Sequence, residues 1–366
     1  MTSDHDALLR AICENPREDT PRLAFADWLE ENGQPDRAAF IRTDIAMALR
    51  DEWDLERLKW EEADGALNGA GFKWAGALPL TDQANSRLSW CGKPLFRRGF
   101  PWAVRVNDLG VFNTRAADLF IRHPLELLDF QRNLPQLNRL VSAPWFPRVR
   151  GLEWNAGRYS EWELRPLLET ANTGLVGFTL THMAIAPLGL QAVFGSLLFS
   201  NFTRLSLLST GPQVVGAAVR LLGQVSACQL RSLTIHGDSL SRDIQTLACS
   251  LPPSMRLLDI SGTHINSAGA REFAGVKATS CLRMLTISNN SLGNEGAAAL
   301  FTSPHLANLK VLDMRYCQVG DDALRALLEN SPLVDGLNFL NLTGSPASGE
   351  MKEAVKARMG ERVSIS

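Results

Sequence analysis

The chain has 366 residues, 45% of them apolar, and 37 Lys and Arg against 39 Asp and Glu leave a formal net charge of −2. This composition supplies a folded core and excludes a disordered chain, and the lack of a basic excess speaks against nucleic acid as a partner. The start "MTSDHDALLRAICENPRED" carries acids where a secretory leader is basic and then apolar, and no run reaches the roughly 18 apolar residues of a membrane span, so a cytoplasmic protein is expected.

Residues 1–50 read as three short helices. "SDHDALLRAICENP" starts at Ser3 or Asp4 and stops before Pro16; "DTPRLAFADWLEENG" starts with Thr20 as N-cap and Pro21 behind it and stops at Gly33; "QPDRAAFIRTDIAMAL" starts near Pro35. Leu8, Leu9, Ile12, Leu23, Phe25, Trp28, Leu29, Phe40 and Ile41 are their expected core. So small a unit is marginal alone and is expected to dock on the repeats as a cap. Asp27, Glu30 and Glu31 read as a solvated helix face rather than a metal or acid–base site. The run "LLRAICENPREDTPRLAFADWLEENGQPDRAAFIR" resembles the bacterial repeat-companion domain, carried by Arg22, Ala26 to Leu29, Gly33 and Phe40 to Arg42. That resemblance implies organisation and no activity.

Residues 51–100 read as a linking and capping segment: a charged helix to about Leu67, a break at "NGAGF", then a connection whose Arg97 and Arg98 are placed to pair with acids of the helical cap. From 101 to 366 one pattern, apolar-x-x-apolar-x-apolar, recurs: "LELLDF" from Leu125, "VRGLEW" from Val149, "LVGFTL" from Leu175, "FTRLSL" from Phe202, then "LRSLTI", "MRLLDI", "LRMLTI", "LKVLDM" and "LNFLNL". The steps are 24 to 28 residues, and apolar residues follow five and thirteen positions after each strand, as at Leu292 and Leu300 or Ile265 and Phe273. Each unit is thus a short strand, a tight turn and a helix, which buries its apolar side only by stacking on copies of itself. Three positions after the strand stand Thr210, Asp238, Thr263, Asn290, Cys317 and Ser345, side chains suited to bonding the backbone of the turn. The end, "EMKEAVKARMGERVSIS", reads as a last helix, a stop at Gly360 and a strand at Val363 and Ile365 that closes the sheet edge.

The stretches "LRMLTISNNSLGNEGAAAL" and "LKVLDMRYCQVGDDALRALL" resemble leucine-rich repeats of the ribonuclease-inhibitor-like class. The resemblance implies an α/β solenoid, with a curved parallel sheet inside and helices outside, whose members mostly bind proteins on the concave face. Alternation along each strand turns the residues between the core leucines toward that face. Its central and following rows are polar apart from Leu208, and the row before them ends in a stripe of Leu257, Met284, Val311 and Phe339. That stripe, with Asp259, Asp313, Arg315 and His236 beside it, is the expected contact site for a protein partner of a monomeric, non-enzymatic chain. No nucleophile, phosphate-binding or metal motif is present and no cofactor is expected. The rivals are a solenoid regulating a GTPase, thiol chemistry at Cys13 or Cys91, and a passive scaffold.

Overall fold

A computed structural model describes residues 2–60, 96–106, 109–130, 136–157, 161–170, 174–183, 187–225 and 228–366. Cys91, the "NGAGF" break and the repeat positions Asn107, Gln131, Tyr159 and Ile185 lie outside them. By its contacts the chain divides into two compact units, residues 1–156 with 170–175, and residues 157–169 with 176–366.

The first unit begins with α1 (Thr2–Glu14), α2 (Thr20–Glu31) and α3 (Pro35–Ala48). Their core is Ile12, Phe25, Ala26, Leu29, Ala38, Ile41 and Ile45, closed by Phe100 from outside the three helices, with Leu8, Leu9 and Trp28 packed against it. Two expected members differ. Leu23 stands 40% exposed, and Phe40 is half-buried against the Trp60 ring, because the face of α3 that meets α2 carries Ala38 and Ile45 instead. Helix α2 is preceded by Asp19 rather than capped by Thr20, and Asp19 makes no side-chain capping bond.

The residues that carry the companion-domain resemblance are engaged in this packing. Arg22 is buried, with its guanidinium donating to the carbonyls of Glu18 and Pro16 at 2.8 Å each and lying over the Phe100 ring. Arg42 bridges Asp27 and Glu30 at 2.7 Å each, and Gly33 turns the chain with φ +78°. Arg98 pairs with Asp19 at 3.3 Å, and Arg148 donates to the carbonyls of Cys13 and Phe120. Helix α1 also packs on helix Leu109–Arg122, so the helical piece is tied to the repeats of its own unit.

The short hairpin β1 (Phe96–Arg97) and β2 (Phe100–Pro101) is antiparallel. Among the described residues, the further strands of each unit run in parallel ladders in chain order. In the first unit these are β3 (Ala103–Val106), β4 (Leu127–Phe130) and β5 (Gly151–Gly157). In the second they are β6 (Gly177–Met183), β7 (Arg204–Leu208), β8 (Ser232–His236), β9 (Leu257–Asp259), β10 (Met284–Thr286), β11 (Val311–Asp313), β12 (Phe339–Leu342) and β13 (Val363–Ile365). The last strand pairs with β12 after Gly360 stops the final helix at φ +60°, which occupies the sheet edge as expected.

Leu285, Ile287, Leu292 and Leu300 of one unit are fully buried, as are Leu258, Ile260, Ile265 and Phe273 of the unit before it. Burying side chains of this size contributes about 1.5–3 kcal/mol each, which is what stacking offers and a lone unit lacks. The polar turn residues are buried too. Asp238, Asn290, Cys317 and Ser345 reach the preceding unit, whereas the Thr263 hydroxyl donates to the Ile260 carbonyl of its own unit at 2.7 Å. Asp238 accepts from the N–H groups of Thr210 and Gly211 at 2.7 and 3.0 Å, Cys317 donates to the Ile287 carbonyl at 3.1 Å, and Ser345 to that of Val319.

Two positions after the last core residue of β6 to β12 the backbone enters the left-handed region, at His182, Ser209, Gly237, Gly262, Asn289, Tyr316 and Gly344. That conformation lets the chain leave the sheet within two residues, and it favours glycine. Tyr316 is the outlier, a bulky residue at φ +55° whose ring lies over Gly344. A Cβ on Gly344 would stand 2.4 Å from that ring, whereas one on Gly262, at φ +62°, would meet nothing within 4 Å. Gly344→Ala should therefore lower stability by about 2–3 kcal/mol and Gly262→Ala by about 1 kcal/mol. Equal urea midpoints for the two variants would remove the ring contact as the cause.

Candidate interaction face

In the second unit the open face of the sheet carries two aligned rows. Backbone pairing sets Ser232, Leu257, Met284, Val311 and Phe339 in one row and Thr234, Asp259, Thr286, Asp313 and Asn341 in the next. The expected stripe is thus brought together, at a strand spacing of about 4.8 Å. Its members are not equivalent. Leu257, Met284 and Phe339 are half-buried, whereas Val311 is only 2% exposed, a short side chain between the longer Met284 and Phe339 one strand away on either side. Val311 backs the face rather than presenting itself on it.

The charged candidates are also brought together, in pairs. The His236 Nε2 lies 2.8 Å from the Asp259 carboxylate, from one strand to the next. The guanidinium of Arg315 grips Asp313 through Nε at 3.0 and 3.1 Å and Nη2 at 2.8 Å. The central row has a second task that the spacing alone did not reveal. Asp259 accepts from the N–H and hydroxyl of Ser261 at 3.1 and 2.7 Å, Asp313 from the N–H of Arg315 at 3.1 Å, and Asn341 from the N–H and hydroxyl of Thr343 at 3.1 and 2.8 Å. Each side chain closes the turn two residues on, where a strand ladder has run out of partners. These side chains are thereby held in one orientation.

One exposed residue of this region lay outside the expected site. Tyr316 is 58% exposed next to Arg315, and the sequence carried a signal for it: an aromatic residue at the position where other units place Gly262, Asn289 and Gly344.

The thiols stand apart from this face in chemistry. Burial pushes the Cys13 thiol up to about 12, against the opposing pull of Arg148 and Arg22, and burial raises Cys317 to about 11. Neither is a nucleophile near neutral pH. Among the described residues no three or more His, Cys, Asp or Glu side chains gather as a metal-ligand set, and no helix is long and apolar enough to cross a membrane.

Residues 280–301 and 305–328 match the family profile described as Leucine Rich repeat. No curated protein sequence matches the chain. Among solved structures, a Bacteroides fragilis protein is similar at 15% identity and a TM-score of 0.43, the match covering 70% of this chain and 81% of the other. The yeast Rad7 and Elc1 complex contains a chain similar at 15% identity and a TM-score of 0.44, covering 72% and 73%. An internalin from Listeria monocytogenes is similar at 15% identity and a TM-score of 0.40, covering 66% and 62%. The two matched segments hold leucine-rich repeats, and the parallel ladders with a helix behind each strand make the fold an α/β solenoid of that repeat.

Proposed function

We propose that the protein is a non-enzymatic interaction module that holds a protein partner on the concave face of its repeat sheet. Leu257, Met284 and Phe339 provide the apolar anchor, and the His236–Asp259 and Arg315–Asp313 pairs orient the partner. One observation carries this reading: three half-buried apolar side chains in one register row beside Asp259 and Asp313, carboxylates held by hydrogen bonds from Ser261 and Arg315. Apolar anchors flanked by fixed polar groups are how interfaces concentrate their energy and selectivity. Leucine-rich repeats, present at 280–328, mostly serve protein binding, which adds support. On the same reading residues 1–50 are a repeat-companion domain, 51–100 link it, and 101–366 form a solenoid of the ribonuclease-inhibitor-like class in a cytoplasmic monomer.

The test is capture from native extract by the parent and by a Met284→Glu, Phe339→Glu variant whose fold is checked by circular dichroism. A protein retained by the parent and lost by the variant, with Arg325→Glu on the helical side retaining it, is the expected outcome. Equal capture by all three proteins sinks the concave-face reading.

A further inference from the structure

One register position before the apolar stripe, the second unit carries Arg231, Arg256, Arg283 and Lys310, each immediately before one of the consecutive strands β8 to β11. Their main chains are bonded in series. The Arg231 carbonyl accepts from the N–H of Arg256 at 2.8 Å, that of Arg256 from Arg283 at 2.8 Å, and that of Arg283 from Lys310 at 2.7 Å. Four cations therefore stand one strand apart, about 4.8 Å, on a rigid frame, and like charges in that arrangement repel.

Among the described residues no carboxylate lies within ion-pair distance of any of the four. Arg256 donates to the carbonyls of Met255 and Pro253 at 2.6 and 2.7 Å, Arg283 to that of Leu282 at 3.0 Å, and Lys310 to that of Gly336 at 3.1 Å. Carbonyls orient a cation but leave its charge. Arg231 is exposed, and among the described residues its guanidinium makes no such bond. Asp259 and Asp313 of the open face stand three residues further along, about 10 Å away, beside His236 and Arg315.

Resting on the proposed binding face, we infer that the partner presents an acidic polypeptide segment. It lies across β8 to β11, its carboxylates on the cation row and its apolar side chains on Leu257 and Met284. Charge complementarity selects this occupant. A chain of net charge −2 that nevertheless concentrates four cations in one row, against an apolar row, is built for carboxylates with apolar neighbours rather than for a uniformly charged strand. A nucleic acid would need the reverse, a broad basic surface.

Fluorescence anisotropy on the full chain tests the inference with a labelled probe of alternating Glu and Leu, its Gln–Leu and Lys–Leu counterparts, and a single-stranded oligonucleotide of equal charge. Saturable binding of the Glu–Leu probe only is expected. It should weaken by at least about tenfold in the Arg231→Gln, Arg283→Gln variant and with rising salt. The parent midpoint in urea should persist in that variant, and Arg231→Gln alone, which disturbs no bond, should give part of the loss. Failure of the Glu–Leu probe to bind, binding unchanged by the variants, or tighter binding of the oligonucleotide overturns the inference. If the acidic probe fails while capture still depends on Met284 and Phe339, only the partner's chemistry is lost and the binding face stands.

Discussion

Asn290→Ala should lower the stability of the second unit by about 3–5 kcal/mol, the largest loss expected from a single polar truncation in this chain. The side chain is buried and fully used. Its Oδ1 accepts from the N–H groups of Thr263 and Ile265 at 3.1 and 2.9 Å, and its Nδ2 donates to the carbonyls of Ile260 and Ile287 at 2.9 Å each and of Ser288 at 3.3 Å. One amide thus closes its own turn and that of the preceding unit. Truncation leaves two buried donors without acceptors, each costing about 1–3 kcal/mol. Since the bonds run between units, the loss falls on the interface between neighbours, the quantity that makes stacked repeats cooperative. Urea unfolding followed by circular dichroism is the measurement. Asn290→Ala should unfold at a much lower midpoint than Thr302→Ala, whose hydroxyl is exposed and bonds only within its own helix. Matching midpoints would show that water in the turn replaces the amide.

Acid should destabilise the first unit through His123. Burial holds this imidazole down to about 3, and the nearby Arg122 and Arg37 push in the same direction. Its Nε2 is enclosed with no hydrogen-bond partner among the described residues, so the ring is neutral in the folded chain. Unfolded, it titrates near 6.5, so between the two values the unfolded state binds the extra proton. The stabilisation of the folded state is therefore complete above about pH 6.5 and is lost as the pH falls toward 3. From pH 7 to pH 5 the loss is about 2 kcal/mol. Asp44 and Glu126 bend the profile the other way, since burial raises both and protonation relieves them. His123→Gln should flatten the profile between pH 7 and 5 while leaving the limb below pH 5. A variant with the parent's slope over that interval would assign the acid sensitivity to another group.

Positions that recur in every unit differ only in what the neighbouring unit places against them. Gly262 and Gly344 share a backbone conformation, yet only Gly344 lies beneath an aromatic ring. Val311 shares a row with Phe339 but not its exposure.

The repeat was legible in the sequence because stacking forces periodicity. Every unit must bury the same positions, so Leu285, Ile287 and Leu292 announce their places by spacing, and Asn290 announces the turn. The polar rows of the open face followed from strand alternation, and the edge strand Val363–Ile365 from Gly360 and the alternation after it. What spacing does not contain is the side chain's choice of partner, which depends on neighbours remote in sequence. That Asp259 closes on His236 and Ser261, that Val311 is covered, and that Phe100 completes the core of α1–α3 were decided only when the chain was folded. The same holds for Arg231, Arg256, Arg283 and Lys310. Their shared position could be counted along the chain, but the absence of a carboxylate beside them among the described residues is a property of the assembled sheet, because charge is balanced across strands and not along them.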